Sequence, residues 1–129
     1  MTFRSKLEEL VARQLGPNWA YEPYKMAYVV PHHYTPDFVT ISPGGYEILV
    51  EVKGFFRAGD RQKYKAIRDR LNTKEGDEEL VFLLSHPNKK THKGAMQTMA
   101  QWCEKEGFRW FQECEELVQY AEEVDNADS

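Results

Sequence analysis

The chain has 129 residues, a net charge of −4 and 41% hydrophobic residues, which indicates one folded domain rather than a disordered chain. Two cysteines are too few for a disulfide framework, no apolar run approaches the roughly 20 residues of a membrane span, and no signal peptide opens the chain. We therefore expect a single soluble, cytoplasmic domain over residues 1–129, which ends in an acidic helix and tail from about residue 113.

The N-terminal half is predicted to contain a helix, an extended strand and a β-hairpin. Apolar residues at three- and four-residue spacing predict a helix over Thr2–Leu15, which a Gly-Pro pair would end. The Tyr- and Val-rich stretch Trp19–Val30 is typical of an extended strand. Two β-type stretches, Phe38–Ile41 and Tyr46–Lys53, are separated by a Ser-Pro-Gly-Gly turn and predict a hairpin.

The C-terminal half is predicted to alternate helices and strands. In order, these are a helix from Asp60 (its cap) to about Leu71, a polar loop Asn72–Glu79, a strand Leu80–Ser85, a basic loop His86–Gly94, a helix Ala95–Glu106, a strand Phe108–Phe111 and a helix Glu113–Val124. This order of elements predicts an α/β fold in which helices flank a mixed β-sheet.

Charge is distributed unevenly, so the acidic total does not exclude a nucleic-acid partner. Between Glu51 and Arg70 there are seven basic and three acidic residues, whereas Gly94–Ser129 holds two basic and nine acidic ones. A solvated helix face and a phosphate-binding surface both fit the basic stretch. The candidate phosphate contacts are Arg4, Arg57, Arg61, Lys63, Lys65, Arg68, Lys89, Lys90 and Lys93.

Two carboxylates and one lysine are predicted to meet at the open end of the hairpin. Glu51 and Lys53 share one face of a strand, and Asp37 lies just before the opposing strand. Asp37, Glu51 and the Val52 carbonyl could bind one Mg²⁺, for which Mn²⁺ could substitute, and Lys53 could orient or deprotonate a water or stabilise phosphate charge. The alternative is a set of solvated strand ends.

These motifs resemble the PD-(D/E)xK nuclease superfamily, and further residues resemble the phage endonuclease I family. The matching stretches are Phe3-Arg4-Ser5 with Leu7-Glu8, Val29-Val30-Pro31, Thr35-Pro36-Asp37-Phe38, Val50-Glu51-Val52-Lys53-Gly54, and Trp102-Cys103-Glu104-Lys105 with Gly107. The resemblance extends from about Phe3 to Phe111.

The resemblance implies a restriction-endonuclease-like fold and an enzyme that resolves four-way (Holliday) DNA junctions in a phage or bacterial host cell. It also implies that Glu8 is a further catalytic and metal-binding residue. Members of this family are intertwined homodimers with composite active sites, so the stretch Tyr24–Pro31 would be the bridge between two exchanged protomers.

Two other functions fit the same residues. One is a different PD-(D/E)xK nuclease, such as a transposase end-cutting subunit or a repair nickase, which would prefer other DNA structures. The other is a DNA-binding module without catalysis, which would bind DNA but neither bind a divalent cation specifically nor cleave.

Overall fold

A computed structural model describes residues 2–72 and 76–126 of the chain. Contacts divide the chain into two compact units, one that ends at His33 and one that begins at Tyr34. None of the helices in the described ranges is long and apolar enough to span a membrane. Residues 73–75 of the predicted polar loop and residues 127–129 of the predicted acidic tail lie outside these ranges.

The first unit contains one helix, which is followed by chain without β-structure. Helix α1 spans Lys6–Leu15, and the Ser5 hydroxyl accepts the amide hydrogen bond of Glu8, so the helix begins four residues later than predicted. Between α1 and residue 37, all of which is described, the chain forms no strand. The strand predicted at Trp19–Val30 is therefore wrong, because strand propensity reflects packing against neighbours and this stretch pairs with no strand among the described residues.

Most large apolar side chains of the first unit are exposed. Helix α1 has no buried residue. The large apolar residues that are at least 40% exposed in this unit are Leu7, Leu10, Val11, Leu15, Trp19, Tyr24, Met26, Tyr28, Val29 and Val30. An apolar surface of this extent is typical of an interaction site rather than of a free surface.

The second unit is built on a four-stranded mixed sheet. Strands β1 (Phe38–Ile41), β2 (Glu47–Lys53), β3 (Glu78–Leu84) and β4 (Arg109–Phe111) lie side by side in that order. Strands β1 and β2 form the predicted antiparallel hairpin, whereas β2 with β3 and β3 with β4 are parallel. The predicted mixed sheet flanked by helices is confirmed.

The larger core lies between this sheet and helices α2 (Asp60–Asn72) and α3 (Met99–Lys105). Phe82 of β3 is fully buried, and its ring centroid lies 5.1 Å from those of Tyr64 and Phe108. Burial of one such side chain contributes about 1.5 to 3 kcal/mol. The aromatic cluster thereby fixes α2 against the sheet, on the face of β2 that carries the candidate site.

Helix α4 (Cys114–Glu123) covers the opposite face of the sheet and leads into a 3-10 turn at its end. In that turn the Asp125 carboxylate accepts hydrogen bonds from the Ser42 hydroxyl and the Gly44 amide of the hairpin turn, each at 2.7 Å. A Cβ atom at position 44 would lie 2.7 Å from Asp125 Oδ1, so the contact requires glycine there.

Helix α3 begins at Met99, four residues after its predicted start at Ala95. A capping box explains the later start, because Thr98 and Gln101 each accept the other's backbone amide hydrogen bond with their side chains. The preceding basic loop is itself hydrogen-bonded, since the Met99 amide donates to the Lys89 carbonyl at 2.8 Å. The other predicted helices and strands of this unit agree with the structure to within two residues at each end.

Candidate active site

Asp37 precedes β1 and is hydrogen-bonded to β2 on both sides of Glu51. Its amide donates to the Val50 carbonyl at 3.1 Å, and its Oδ2 accepts from the Val52 amide at 2.8 Å. The hairpin thus holds the Asp37 carboxylate against β2 at the level of Glu51. Its other oxygen, Oδ1, has no hydrogen-bond partner among the described residues and keeps its lone pairs available for a ligand.

Glu51 is a buried carboxylate, 7% exposed, whose two oxygens both accept hydrogen bonds from tyrosines. The Tyr64 hydroxyl donates to Oε1 at 2.7 Å and the Tyr34 hydroxyl to Oε2 at 2.8 Å. A buried carboxylate is costly unless such bonds compensate for lost hydration. Burial, together with the nearby Glu51 carboxylate, raises the pKa of both tyrosines, so both hydroxyls remain donors throughout the neutral pH range.

Lys53 lies between two carboxylates. Its Nζ is 3.8 Å from Glu51 Oε1, 3.3 Å from Asp60 Oδ2 and 5.4 Å from the centroid of the Tyr64 ring. Asp60 is the first residue of α2, and its Oδ2 also accepts the Arg57 amide at 2.8 Å. Opposite charges at these distances attract strongly where water is partly excluded, so the ammonium group is held in a fixed place beside a buried acid.

Three residues that shape this site, Tyr34, Tyr64 and Asp60, are absent from the sequence-based site prediction. Tyr64 and Asp60 are four residues apart on α2, a spacing that places two side chains on one helix face. This spacing could have indicated that both side chains face the site, although the sequence predicts Asp60 only as a helix cap. Tyr34 carries no comparable signal, because its contact with Glu51 depends on the path of the chain before β1.

Glu8 and Arg4 belong to the first unit and have partners there. The Tyr21 hydroxyl donates to Glu8 Oε2 at 2.5 Å, and this hydrogen bond lowers the pKa of Glu8. Arg4 forms an ion pair with Glu22. The strand residues of the predicted site belong to the second unit, so a site that also includes Glu8 stays a prediction.

The residues predicted to hold a metal offer oxygen donors. Asp37 and Glu51 contribute carboxylates and Val52 a carbonyl, and hard cations such as Mg²⁺ and Mn²⁺ prefer this donor set. Within the described ranges no group of three or more His, Cys, Asp or Glu side chains could hold a metal. Water and substrate oxygens would therefore complete the coordination, as is usual for Mg²⁺.

Most of the predicted phosphate contacts retain an unneutralised charge. Within residues 2–72 and 76–126, no carboxylate forms an ion pair with Arg57, Arg61, Lys63, Lys65, Lys89, Lys90 or Lys93. The Lys63 ammonium lies over the rings of Tyr34 and Tyr64, 5.4 and 5.5 Å from their centroids. The Lys90 ammonium donates to the Met96 carbonyl at 3.1 Å.

Arg68 differs from these residues because its guanidinium is occupied by protein groups. It donates to the Glu106 carbonyl at 2.6 Å and to the Glu106 carboxylate at 3.1 Å, and it pairs with Asp69 at 3.0 Å. It also lies 5.6 Å from the Phe108 ring centroid. This geometry favours a structural role, in which Arg68 joins α2 to the end of α3.

The chain matches known proteins over most of its length. The sequence model of the family named phage endonuclease I matches residues 1–125. Endonuclease I of Escherichia phage T7 is 40% identical over 114 residues, which cover 84% of this chain and 71% of that protein. These matches confirm the resemblance to the phage endonuclease I family. The chain therefore belongs to the phage endonuclease I family.

Proposed function

We propose that the protein is a Mg²⁺-dependent endonuclease that resolves four-way DNA junctions by hydrolysis of phosphodiester bonds. Membership of the phage endonuclease I family supports cleavage of a nucleic acid. The observation that carries the proposal is the pairing of buried Glu51 with Lys53, beside an Asp37 carboxylate that is fixed to the same strand. Two acids and a cation at one strand end suit metal-assisted phosphodiester hydrolysis.

Asp37, Glu51 and the Val52 carbonyl are the groups we assign to the cation, with Glu8 as a further ligand and Mn²⁺ as a substitute for Mg²⁺. Such a cation supplies an activated water and neutralises charge on the phosphate. The hydrogen bonds from Tyr34 and Tyr64 keep the Glu51 carboxylate in one orientation, and each of its oxygens retains a lone pair for a ligand.

Lys53 acts toward the phosphate through its ammonium group. The carboxylates of Glu51 and Asp60 lie within 4 Å of its Nζ and hold this group in place. A fixed ammonium can orient the attacking water and stabilise the negative charge that develops on the phosphate oxygens. Asp60 therefore serves as a positioning residue for Lys53.

We also propose that the protein acts as a homodimer with composite sites, in which Glu8 of one protomer joins Asp37, Glu51 and Lys53 of the other. The exposed apolar surface of the first unit supports an exchange of this unit between protomers, because the free chain leaves it uncovered. A symmetric dimer suits a four-way junction, in which two phosphates are cut together.

The decisive experiment replaces Asp37 or Lys53 and follows cleavage and binding separately. We expect Asp37→Asn and Lys53→Ala to slow cleavage of a labelled four-way junction in Mg²⁺ by at least about 100-fold. Gel-shift affinity without divalent cations should change little. The matched controls, Asp77→Asn and Lys105→Ala, lie outside the site and should cleave normally. Cleavage at the wild-type rate by either site variant would refute the assignment.

A panel of substrates tests the choice of DNA. We expect paired symmetric nicks in a four-way junction and slower cleavage of linear, nicked and flapped duplexes. Preference for a specific linear site would instead favour another nuclease of the same superfamily. Junction binding without metal-dependent turnover would favour a DNA-binding module.

A further inference from the structure

We propose that Phe55 is a positioning residue that assembles Arg57 and Lys89 into a clamp for a DNA backbone phosphate next to the scissile bond. The inference rests on the proposed nuclease function and adds a determinant of substrate placement to it. Phe55 follows Lys53 by two residues and is 49% exposed. It thus lies on the surface directly after the strand that carries the candidate site.

The two aromatic residues after β2 have different surroundings. The Phe56 ring packs into the core, 5.0 Å from the Trp102 ring centroid and 6.3 Å from that of Phe82. The Phe55 ring instead contacts cations, since Arg57 Cζ lies 5.6 Å and Lys89 Nζ lies 5.3 Å from its centroid. Both distances are within the range of about 6 Å for cation–π attraction. Packing in the core therefore accounts for Phe56 but not for Phe55.

The Phe55 ring brings together two charges from separate parts of the chain. Arg57 precedes α2, whereas Lys89 lies in the basic loop after β3. Two cations that share one ring are at most about 11 Å apart and repel each other, and the negative faces of the aromatic ring offset part of that repulsion. In the described part of the chain neither cation has a carboxylate partner. A pair of unneutralised cations favours an anion, and in a nuclease the available anion is a DNA phosphate.

Hydrogen bonds fix the backbone of both residues, and the one at Arg57 connects it to the candidate active site. Asp60 Oδ2 accepts from both the Arg57 amide and the Lys53 ammonium, at 2.8 and 3.3 Å. The carbonyl of Lys89 accepts the Met99 amide, which fixes the backbone of the loop. Because Arg57 and Lys53 share this acceptor, the phosphate assigned to the clamp is one next to the phosphate that Lys53 contacts.

The clamp is tested by comparing the salt dependence of junction binding in the variants Phe55→Leu and Phe55→Tyr with that of the wild type. Leucine keeps apolar bulk but lacks the ring, whereas tyrosine keeps the ring. We expect Phe55→Leu to weaken binding about tenfold near 0.1 M salt and to reduce the slope of log K against log salt by about 1, because one phosphate contact contributes about 0.9. Phe55→Tyr should match the wild type. In cleavage, Phe55→Leu should raise KM about tenfold and change kcat less than about threefold.

Coupling between the residues separates the clamp from a purely structural role. Arg57→Ala should weaken binding much less in a Phe55→Leu background than in the wild type, because contacting residues are non-additive. Lys93→Ala, whose side chain is exposed in the same loop, should add independently to Phe55→Leu. Additive effects of Phe55→Leu and Arg57→Ala would overturn the proposal, as would weaker binding with an unchanged salt slope, which would indicate that the ring contacts bases.

These readouts are distinct from those of the nuclease assignment. The clamp is measured by equilibrium binding without divalent cations, so it can fail in a protein that cleaves junctions normally. The nuclease assignment fails if the wild-type protein does not cleave in Mg²⁺, whatever the salt slope of Phe55→Leu.

Discussion

The two units of the chain place their apolar side chains in opposite environments. In the second unit Tyr64 and Phe82 are fully buried between sheet and helices, whereas in the first unit Tyr28 is 82% and Val29 92% exposed. The second unit therefore obtains its stability from its own contacts, which also bring Asp37, Glu51 and Lys53 together. The first unit carries Glu8 on a helix without buried residues, and its apolar side chains are exposed in the single chain; the proposed homodimer would cover them.

The largest expected effect comes from a mixed dimer, which tests whether the first unit of one protomer completes the site on the second unit of the other. We expect Glu8→Gln and Asp37→Asn each to lower junction cleavage at least about 100-fold. If the first unit completes the partner's site, a mixed dimer of the two variants contains one intact site, and it should nick one strand at close to the wild-type rate per site. Co-expression with two affinity tags isolates the mixed dimer, and strand-specific labels report the nick.

The same experiment contains its own control. Each homodimer, purified in parallel, should stay inactive. A mixed dimer as inactive as both homodimers would mean that each site is formed within one chain, and it would end the proposal of composite sites.

Glutamates introduced on the exposed apolar surface of the first unit should prevent the proposed dimerisation without unfolding the second unit. We expect the double variant Met26→Glu with Val29→Glu to be a monomer by light scattering and to lose most junction cleavage, because burial of these side chains across the interface becomes costly. The free energy of unfolding of the second unit should change by less than about 0.5 kcal/mol. The matched control is Gln14→Glu, at an exposed position on α1. A double variant that remains dimeric and active would show that this apolar surface does not form the dimer interface.

Tyrosine substitutions should affect the stability of the two units differently. Tyr64→Phe removes a hydrogen bond to the buried Glu51 carboxylate, which should lower the free energy of unfolding by about 1.5 to 3 kcal/mol. Tyr28→Phe, at an exposed position, should change it by less than about 0.5 kcal/mol. Urea unfolding followed by circular dichroism measures both values. Equal effects of the two substitutions would show that the Glu51 hydrogen bonds do not stabilise the core.

The smallest expected effect is a loss of stability in alkali. Burial raises the pKa of Tyr34 and Tyr64 above the ordinary value of about 10, so the folded state holds these protons more tightly than the unfolded state does. Their contribution is fully present below about pH 10 and is lost as pH rises toward the folded-state pKa. The free energy of unfolding should therefore fall above about pH 10, and less steeply in Tyr64→Phe. If the free energy of unfolding fell equally steeply with pH in the wild type and in Tyr64→Phe, ionisation of Tyr64 would not be the cause.

Local patterns predict the parts of this fold that local contacts determine. The hairpin follows from its turn residues, and the alternation of β2 places Glu51 and Lys53 on one face. The predicted strand at Trp19–Val30 fails because strand formation needs a pairing partner, which a single stretch of sequence does not reveal. The tyrosine contacts of Glu51 also escape prediction, since they depend on how α2 packs against the sheet.

The Asp125 contact with the hairpin turn determines where additions to the C-terminus can be made. The turn lies at the start of β2, and the site residues Glu51 and Lys53 lie four and six residues after Glu47, roughly 13 to 20 Å away at strand spacing. A fluorophore attached at this 3-10 turn would therefore lie at the end of β2 opposite to the candidate site, which makes the turn suitable for labelling the protein in single-molecule assays.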